Sequence, residues 1–382
     1  MNLSLLIILI SMLCALQNVA ESKKSSEKKK SKPYKKPPYP TSPESVMYYI
    51  STHLGTQLTN DIDNFLKYLS HVMCLDFKRQ KDSVKNNIGI NFYSKKYNKV
   101  GLSTDKKKPT KVYLKKGLTR RELLFFIGNA LGLVSEITRY DSKRYVKVFE
   151  NNIQESYFEK YYEVRQYDSD VIANTSFDFY STMLPSPKFK SKNGRETYTF
   201  ISDLSKYYEK TVYTTKFFSF SDVKRLWYLY CSDKCKEKDI CMNNGFLKKD
   251  YRTCICPSPF TGEKCEELYL DQENCSNKQE FIATSYKSFY TIKNIFTLCY
   301  YSIKSNNGKK VRFNIEYLNI SHINDCSFGV GLRVKYREDK GAGDLYLCGN
   351  YANISFPPLS NEVNLRFYGY GNNRLDFSIK EE

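Results

Sequence analysis

The distribution of cysteine constrains this chain more than any other feature. Cys14 lies in an apolar N-terminal run, and ten of the remaining eleven cysteines fall between Cys231 and Cys348. Clusters of this kind are typical of small disulfide-stapled modules in exported proteins. The sequence therefore predicts a cysteine-poor N-terminal domain with room for its own core, followed by disulfide-rich modules. Because eleven is odd, at least one thiol has no partner within the chain.

The first twenty residues, MNLSLLIILISMLCALQNVA, indicate export. Their apolar run from Leu3 to Leu16 is too short to span a membrane and is followed by small residues, as in a secretory signal peptide. No later segment reaches the roughly 18 consecutive apolar residues of a membrane span. We therefore expect residues 1–20 to be a signal peptide and the protein to be secreted and extracellular, with no membrane span.

A lysine-rich and proline-rich segment follows, at residues 21–44. Between Ser22 and Pro43 it carries eight lysines and one glutamate, a share of the formal net charge of +19. Like charges repel and prolines block regular structure, so the segment is predicted to be a disordered tail. Its charge favours attraction to sulfated glycans or cell surfaces, with no nucleic acid expected for an exported chain. The alternative is a solvated spacer with no binding role.

Residues 45–231 alternate helical and strand patterns. DNFLKYLSHVM, residues 63–73, has a one-sided apolar stripe, and CLDF, NIGINFY and KVYL resemble strands. Thr119 and Glu122 form a capping box that predicts a helix start. Gly132 supplies the left-handed residue that ends this helix, and residues 220–230 predict another. This mixture indicates an α+β domain.

The remaining chain divides into two parts. Residues 232–266 are dense in cysteine and end in CICPSPFTGEKC. Residues 268–382 contain short strand-like runs separated by turn residues: FTLCYYSI, KVRFNIEYLNI, FGVGLRVKY, VNLRFYGY and RLDFSI. Regularly spaced short strands of this kind predict a β-sandwich.

This order of modules resembles the astacin family of secreted zinc metalloendopeptidases, in particular nematode members with appended EGF-like and CUB domains. The stretch ELLFFIGNALGLVSEITRYDSKRYV matches part of the signature H-E-x-x-H-x-x-G-x-x-H-E-x-x-R-x-D. It retains the frame residues Gly132, Glu136, Arg139, Asp141, Tyr145 and Val146. SFDFYSTMLPS resembles the methionine turn of the family and retains Asp178, Ser181 and Met183. The resemblance implies a zincin-like domain with a mixed sheet and helices, a small EGF-like module and a CUB-type β-sandwich.

Every position that touches metal or the attacking water in the family carries another residue here. The general-base glutamate falls on Phe126. The zinc-ligand positions, three histidines and a tyrosine after the methionine turn, fall on Phe125, Asn129, Ser135 and Pro185.

These replacements remove the chemistry of the family site. In the family, zinc acidifies a bound water and glutamate accepts its proton. Phenylalanine has no lone pair for a metal, and Asn129 and Ser135 offer only neutral oxygens, which are poor partners for zinc. The chain has three histidines, His53, His71 and His322, and their positions make a relocated three-histidine site hard to assemble. We expect no cofactor.

The retained residues have a structural interpretation. In the family, the glutamate at position 136 lies near the buried amino terminus of the mature enzyme. The residues at positions 139 and 141 belong to neighbouring polar contacts. Glu136, Arg139 and Asp141 are therefore predicted to hold the turn after the helix whether or not metal is present, and Met183 is predicted to be a core residue.

The resemblance also implies the covalent framework. It pairs Cys74 with Cys231 across the first domain, and the second family disulfide is absent. The pairs expected in the later modules are Cys241–Cys254, Cys256–Cys265, Cys275–Cys299 and Cys326–Cys348. Cys235 is left as the candidate orphan thiol, although it competes with Cys231 for Cys74. Glycosylation sequons predict surface positions at Asn174, Asn319 and Asn353, with a weaker one at Asn274.

The function predicted from these observations is that of a secreted, catalytically inactive astacin-like protein, a pseudoenzyme. It would act by binding extracellular proteins or sulfated glycans. The alternative is a zinc-dependent metalloendopeptidase with a non-standard site, the activity that family membership implies, in which case zinc is the cofactor. A third hypothesis is a glycan-binding protein that relies mainly on the lysine tail.

Overall fold

A computed structural model describes residues 34–234, 240–270, 275, 278–320 and 329–382. The chain separates into two compact units, Met1–Lys35 and Lys36–Glu382, and every helix and strand given below belongs to the second. In the described ranges, no helix is long and apolar enough to cross a membrane. Several sequence predictions lie outside these ranges: the signal peptide, most of the lysine tail, Cys235, Asn274, His322 and Cys326.

A mixed five-stranded sheet forms the first part of the described chain. Its order is β2-β1-β3-β5-β4, in which β1 pairs in parallel with β2 and β3, β3 pairs in parallel with β5, and β4 alone is antiparallel. Parallel neighbours need crossover connections, and a helix supplies one between β1 and β2. The strands are β1 Ser45–Ile50, β2 Asp76–Gln80, β3 Ile90–Ser94, β4 Lys99–Gly101 and β5 Thr110–Leu114.

Two of the helices, Thr56–Val72 and Arg120–Ala130, pack against this sheet. The predicted helix at residues 63–73 is longer than its stripe indicated, and begins after Gly55. The capping box of Thr119 and Glu122 is present, and a second capping box joins Ser219 and Asp222 at the start of the last helix. The helices are α1 Thr56–Val72, α2 Arg120–Ala130, α3 Glu155–Tyr161, α4 Ser169–Ile172, α5 Ser205–Tyr208 and α6 Phe220–Tyr230.

The end of the lysine-rich segment is packed, where a disordered tail was predicted through residue 44. Tyr39 is only 5% exposed, and its hydroxyl hydrogen-bonds Thr110 Oγ1 and the carbonyl oxygen of Ala130, each at 2.8 Å. Lys36 Nζ donates to the carbonyl of Leu229. The prediction of disorder was wrong at this end of the segment. It rested on lysine and proline content and did not consider Tyr39, whose ring has apolar surface to bury.

Short antiparallel pairs connect the larger sheets. β6 Val146–Val148 pairs with β7 Tyr198–Phe200, β8 Phe246–Leu247 pairs with β9 Cys254–Ile255, and β10 Phe260–Thr261 pairs with β11 Glu267–Leu268. The last two pairs lie in the cysteine-dense segment, and disulfides Cys241–Cys254 and Cys256–Cys265 fasten them.

The C-terminal part is the predicted β-sandwich. In the described ranges, a five-stranded sheet of order β12-β14-β19-β16-β17 packs against a four-stranded sheet of order β13-β20-β15-β18. Inward positions alternate along the strands, as in Phe313 and Ile315 or Leu365 and Phe367. The strands are β12 Glu280–Ala283, β13 Ser288–Lys293, β14 Leu298–Ser305, β15 Val311–Ile320, β16 Gly331–Lys335, β17 Leu345–Leu347, β18 Tyr351–Phe356, β19 Glu362–Tyr368 and β20 Asn373–Glu381.

The loop between β16 and β17 joins the sandwich to the helix–sheet part. Arg337 is buried there, and its guanidinium donates to the carbonyl of Phe177 at 2.6 Å and to Ser176 Oγ at 3.1 Å. Asp339 Oδ2 accepts from Ser176 N at 2.6 Å. Charged hydrogen bonds to buried backbone groups tie the two parts together.

Candidate active-site cleft

Helix α2 carries the replaced family positions, and its sequence explains why they point inward. The capping box satisfies backbone donors at its N-terminus, and every residue from Leu123 to Ala130 is buried. Gly128 allows the methionine turn to approach, since an added Cβ there would lie 2.5 Å from Met183 Sδ. The helix is therefore enclosed on all sides over its second half.

Two phenylalanines lie at the positions where the resemblance predicts the first metal ligand and the general base. Phe125 is 4% exposed, and its ring centroid lies 5.0 Å from that of Phe189 and 5.8 Å from that of Tyr161. Phe126 meets Phe125 edge to face at 5.4 Å. Aromatic pairs at these distances attract beyond the burial of their area. An aromatic cluster therefore surrounds the position where the resemblance predicts the first metal ligand.

The side chains at the other two predicted ligand positions on this stretch are buried. Asn129 lies one turn after Phe125 and donates from Nδ2 to the Phe125 carbonyl at 2.9 Å, so its amide bonds back into its own helix. Ser135 is buried at the start of a short 3-10 helix, and its Oγ has no hydrogen-bond partner among the described residues. Pro185 is buried too, and its carbonyl accepts from the Tyr198 hydroxyl at 2.5 Å.

These side chains do not fit a zinc ion. Zinc takes imidazole, thiolate or carboxylate ligands, and here the set is two aromatic rings, an occupied amide, one hydroxyl and a proline. In the part of the chain that the structure describes, no group of three or more His, Cys, Asp or Glu side chains is placed to hold a metal. His53 and His71 are both exposed.

The retained glutamate is the centre of a buried ionic network. Glu136 is fully buried, and the guanidinium of Arg225 binds both of its carboxylate oxygens, at 2.5 and 3.0 Å. Glu136 Oε1 also accepts from Asp178 N at 2.6 Å. Burial opposes the charge on Arg225, but the carboxylate of Glu136 outweighs it, so the pKa of Arg225 is raised. A buried carboxylate of this kind needs such a partner.

Arg139 and Asp141 form the neighbouring pair. Arg139 is fully buried and binds Asp141 through Nε at 2.8 Å and Nη2 at 3.0 Å. Its Nη2 also donates to the Thr175 carbonyl at 2.5 Å. Burial alone would raise the pKa of Asp141, but Arg139 outweighs it and the pKa is lowered. The structure thus brings Glu136, Arg139 and Asp141 together at the turn after α2.

Tyr145 and Met183 complete the retained frame. The Tyr145 ring stacks on Phe177 at 4.9 Å, and its hydroxyl accepts from Arg337 Nη2 at 3.1 Å. Met183 is fully buried, and its carbonyl accepts from Glu136 N at 3.0 Å. Gly132 has φ +92°, which only glycine adopts readily, and so ends the helix as predicted.

Sequence reasoning missed three residues of this region. Arg225 on α6 provides the counter-charge for Glu136, but nothing in FSDVKRLWYLY marks one cation as buried. Asp222 accepts from Ser181 Oγ at 2.5 Å and from Thr182 N at 2.8 Å; its capping box with Ser219 is a signal that would have located it. Phe189 closes the aromatic cluster from a loop of no recognisable pattern.

An open cleft of about 590 Å³ lies beside the aromatic cluster. Phe125, Phe126 and Pro185 form part of its wall. Four cationic side chains and one carboxylate line it, and the carboxylate, Glu122, caps the start of α2. The cations are Lys115, Arg121, Lys188 and Lys190. The cleft is therefore aromatic and positively charged.

The expected disulfide framework is largely present. Cys74–Cys231 joins residues 157 positions apart, and Cys275–Cys299 joins the edge of the sandwich. Cys348 is disulfide-bonded, and its expected partner Cys326 lies outside the described residues, as does Cys235. Among the sequons, Asn174 and Asn353 are exposed and Asn319 is half-buried on β15. Their glycosylation stays a prediction.

Comparison with known proteins gives a consistent picture. The sequence model of Astacin (Peptidase family M12A) matches residues 35–231. The chain is 30% identical over 231 residues to the zinc metalloproteinase nas-34 of Caenorhabditis elegans, which covers 60% of this chain and 37% of that protein. The chain therefore spans well under half the length of that relative.

Two solved structures are also similar over part of the chain. One is high choriolytic enzyme 1, a hatching enzyme zinc-protease from the medaka fish Oryzias latipes, with 20% identity and a TM-score of 0.38 over 49% of this chain and 88% of that one. The other is the CUB1-EGF-CUB2 domain of human MASP-1/3, with 18% identity and a TM-score of 0.21 over 39% of this chain and 55% of that one.

Proposed function

Because the chain belongs to the astacin family, peptidase family M12A, we propose that it is a catalytically inactive member of that family. In this proposal it is secreted and acts by binding an extracellular protein or a sulfated glycan. Family membership supports a peptidase-type scaffold, and the residues at the reacting positions support the loss of catalysis.

The packing of Phe125 carries the proposal. Its ring is held between Phe189 and Tyr161 and lies where a first metal ligand would be needed. A side chain enclosed by three aromatic rings cannot turn aside to admit an ion without opening a cavity, and core cavities cost several kcal/mol. Loss of one ligand can leave a weakened site, but in this proposal a packed aromatic ring stands at a ligand position and supplies no lone pair.

Secretion is supported by the covalent structure. Four disulfides lie within the described residues, and cytosolic proteins rarely keep disulfides because their thiols are held reduced. The apolar N-terminal run supports the same destination.

A binding role is supported by what remains of the cleft. It stays open at about 590 Å³ although its reacting groups are gone. Lys115, Lys188 and Lys190 line it beside the aromatic cluster, so its surface attracts anionic and apolar groups alike. A cleft of this kind holds a ligand and releases it unchanged.

Metal content and proteolysis measured together test the proposal. The full chain, secreted from a eukaryotic host and purified without chelators, is expected to contain no stoichiometric zinc and to leave fluorescent casein intact. The result that overturns it is about one zinc per chain that is lost, together with casein cleavage, on treatment with phenanthroline. Casein cleavage that persists with the chelator comes from a contaminating protease or from a metal-independent activity of this chain. If that cleavage co-purifies with the chain at constant specific activity, it also contradicts the proposed inactivity.

A deletion separates the tail from the folded part as the source of glycan affinity. Because Tyr39 is packed in the fold, only residues 22–33 should be removed, which takes away six lysines. Retention on heparin that persists in the deleted protein places glycan binding on the folded part. Retention that vanishes supports the lysine tail as the binding segment.

A further inference from the structure

A second groove lies where the outer face of the five-stranded sandwich sheet meets the chain before α6. Its volume is about 900 Å³. None of the residues that line it lines the cleft described above. Among the described lining residues there are five cations and one carboxylate; the cations are Lys210, Lys216, Arg333, Lys335 and Arg366.

Two arginines stand side by side in this groove. Arg333 on β16 is the direct antiparallel partner of Arg366 on β19, so the two side chains leave the same face of the sheet. The same register row continues to Tyr346 on one side and to Tyr300 on the other. The guanidinium of Arg333 lies over the Tyr346 ring, 4.3 Å from its centroid. The row therefore reads Tyr–Arg–Arg–Tyr across four neighbouring strands.

Among the described residues, no carboxylate neutralises the positive charge of this row. The one carboxylate of the groove, Asp344, is ion-paired with Lys335 at 2.5 Å. Within the described residues, no carboxylate lies within 4.0 Å of either arginine. The Nε of Arg333 is buried and finds no acceptor in the same part of the chain. Like charges directly opposite each other destabilise a sheet, and a buried donor without an acceptor adds to the cost.

An anionic ligand would relieve both costs. A guanidinium presents paired N–H donors that match the two oxygens of a carboxylate, and neighbouring guanidinium groups can grip one acidic side chain each. We propose that this groove binds an acidic peptide segment of a partner protein, with Arg333 and Arg366 as the carboxylate-binding residues. This inference rests on the proposed binding function and adds the class of ligand. Peptidase activity in the cleft would contradict the proposed function but not peptide binding in this groove, because the groove and the cleft share no lining residue.

The apolar part of the groove favours a peptide over a glycan. Phe217, 64% exposed, lines it together with Phe218 and Phe220. A sulfated saccharide is polar along its whole length and gains little from three phenylalanine side chains. A peptide that alternates acidic and apolar side chains matches both the cations and the rings.

The test is the binding of a fluorescent short peptide of alternating glutamate and phenylalanine to the full chain, measured by anisotropy. The wild type is expected to bind it, and the double variant R333Q/R366Q is expected to bind at least roughly tenfold more weakly because two charge-assisted contacts are lost. The same peptide with glutamine in place of glutamate should fail to bind. The lysine tail is present in every variant, so its contribution cancels.

The matched control removes two charges from the other sheet. K293Q/K380Q changes exposed lysines on β13 and β20 and should bind the peptide as the wild type does. R333Q/R366Q should melt at the same or a higher temperature than the wild type, which shows that weaker binding is not unfolding. Equal binding by wild type and R333Q/R366Q, or equal losses in both double variants, overturns the site, and no binding of the peptide by the wild type overturns the peptide as its ligand. A heparin oligosaccharide that binds through the arginines while the peptide does not overturns the peptide and leaves a glycan groove.

Discussion

At the scale of single residues, the candidate site contains two kinds of position: predicted metal-ligand positions, and positions whose side chains form buried ion pairs. Phe125 and Asn129 lie at predicted ligand positions, and an aromatic cluster and a hydrogen bond within the helix hold their side chains. Glu136 and Arg139 are different because each is one half of a buried ion pair. Removing one partner of such a pair leaves the other charge buried without a counter-charge. These residues are therefore expected to contribute to the free energy of unfolding.

Glu136→Gln tests this distinction. It leaves the Arg225 guanidinium buried beside a neutral amide, and we expect the free energy of unfolding to fall by about 3–5 kcal/mol. Urea unfolding followed by circular dichroism measures it. Glu382→Gln, which breaks the exposed pair with Arg312, should cost less than about 1 kcal/mol.

A companion variant identifies the cause. Glu136→Met combined with Arg225→Met removes both charges and is expected to be more stable than Glu136→Gln alone, because no isolated charge remains. If the double variant is no more stable than the single one, the loss comes from packing and not from the stranded charge.

Asp178 gives a pH dependence of known sign. It is fully buried, and burial, then the carboxylates of Glu136 and Asp222, raise its pKa to about 6. Its pKa in the unfolded chain is about 4, so the folded form binds the proton more tightly. The stability that this group contributes is present below about pH 4 and is lost as the pH rises through about 6.

Asp178→Asn removes this titration while its side-chain oxygen can still accept from the backbone N–H of Tyr180 and of Gly343. The melting temperature of the wild type minus that of the variant should increase as the pH falls from about 7 to about 4. The exposed loop carboxylate Asp105 is the control, and Asp105→Asn should show no such increase. A flat difference for Asp178→Asn would mean that its pKa is ordinary.

At the scale of elements, helix α2 and the turn after it were predictable, and their neighbours less so. The capping box and Gly132 marked the helix because both are local features of the sequence. The short strands β4, β12 and β17 were not foreseen, since strands of three or four residues carry too few side chains for a period to appear. The six-residue strands β1, β13 and β18 were missed as well, although β1 alternates buried and half-buried positions. Arg225 was missed for another reason: pairing with Glu136 is a tertiary contact across 89 positions.

If the frame of the family site is intact, its ligands can be restored. Phe125→His, Phe126→Glu, Asn129→His and Ser135→His together place two imidazoles one turn apart and a third beyond Gly132. This variant is expected to bind about one zinc per chain, measured by mass spectrometry of the metal after gel filtration.

The partial variant F125H/F126E is the control, since it lacks two ligands and should bind no stoichiometric zinc. Near-ultraviolet circular dichroism verifies that each variant is folded. A folded four-residue variant that binds no zinc would show that the turn after α2 has moved from the family geometry.

At the scale of the whole molecule, the sandwich and the helix–sheet part share buried polar contacts. Arg337 binds backbone and side-chain oxygens around Phe177, and Gly343 N donates to Asp178 Oδ1 at 3.1 Å. The same loop borders the arginine groove. Sequence patterns identified each part because periodicity is local, whereas the loop that joins them has no period and its partners lie about 160 positions away.

Arg337→Ala tests this coupling. It leaves the carbonyl of Phe177 without its charged donor, and we expect the free energy of unfolding to fall by about 2–4 kcal/mol. Calorimetry should show one transition for the wild type and a broader or split transition for the variant. Arg374→Ala is the control. Arg374 lies on β20 of the four-stranded sheet, is exposed and pairs with Asp376, so this substitution should leave the melting curve unchanged. Matching effects of the two substitutions would contradict a structural coupling through residue 337.

The pair of Glu136 and Arg225 also bears on when the protein becomes complete. A family member whose glutamate faces a buried amino terminus acquires that counter-charge only when a preceding segment is cut away. Here the counter-charge is a side chain of the protein itself, Arg225 on α6. The counter-charge of Glu136 is therefore already present in the uncut chain. Glu136 is thus paired without a free amino terminus, while Lys36 and Tyr39 still pack the start of the described chain against the fold.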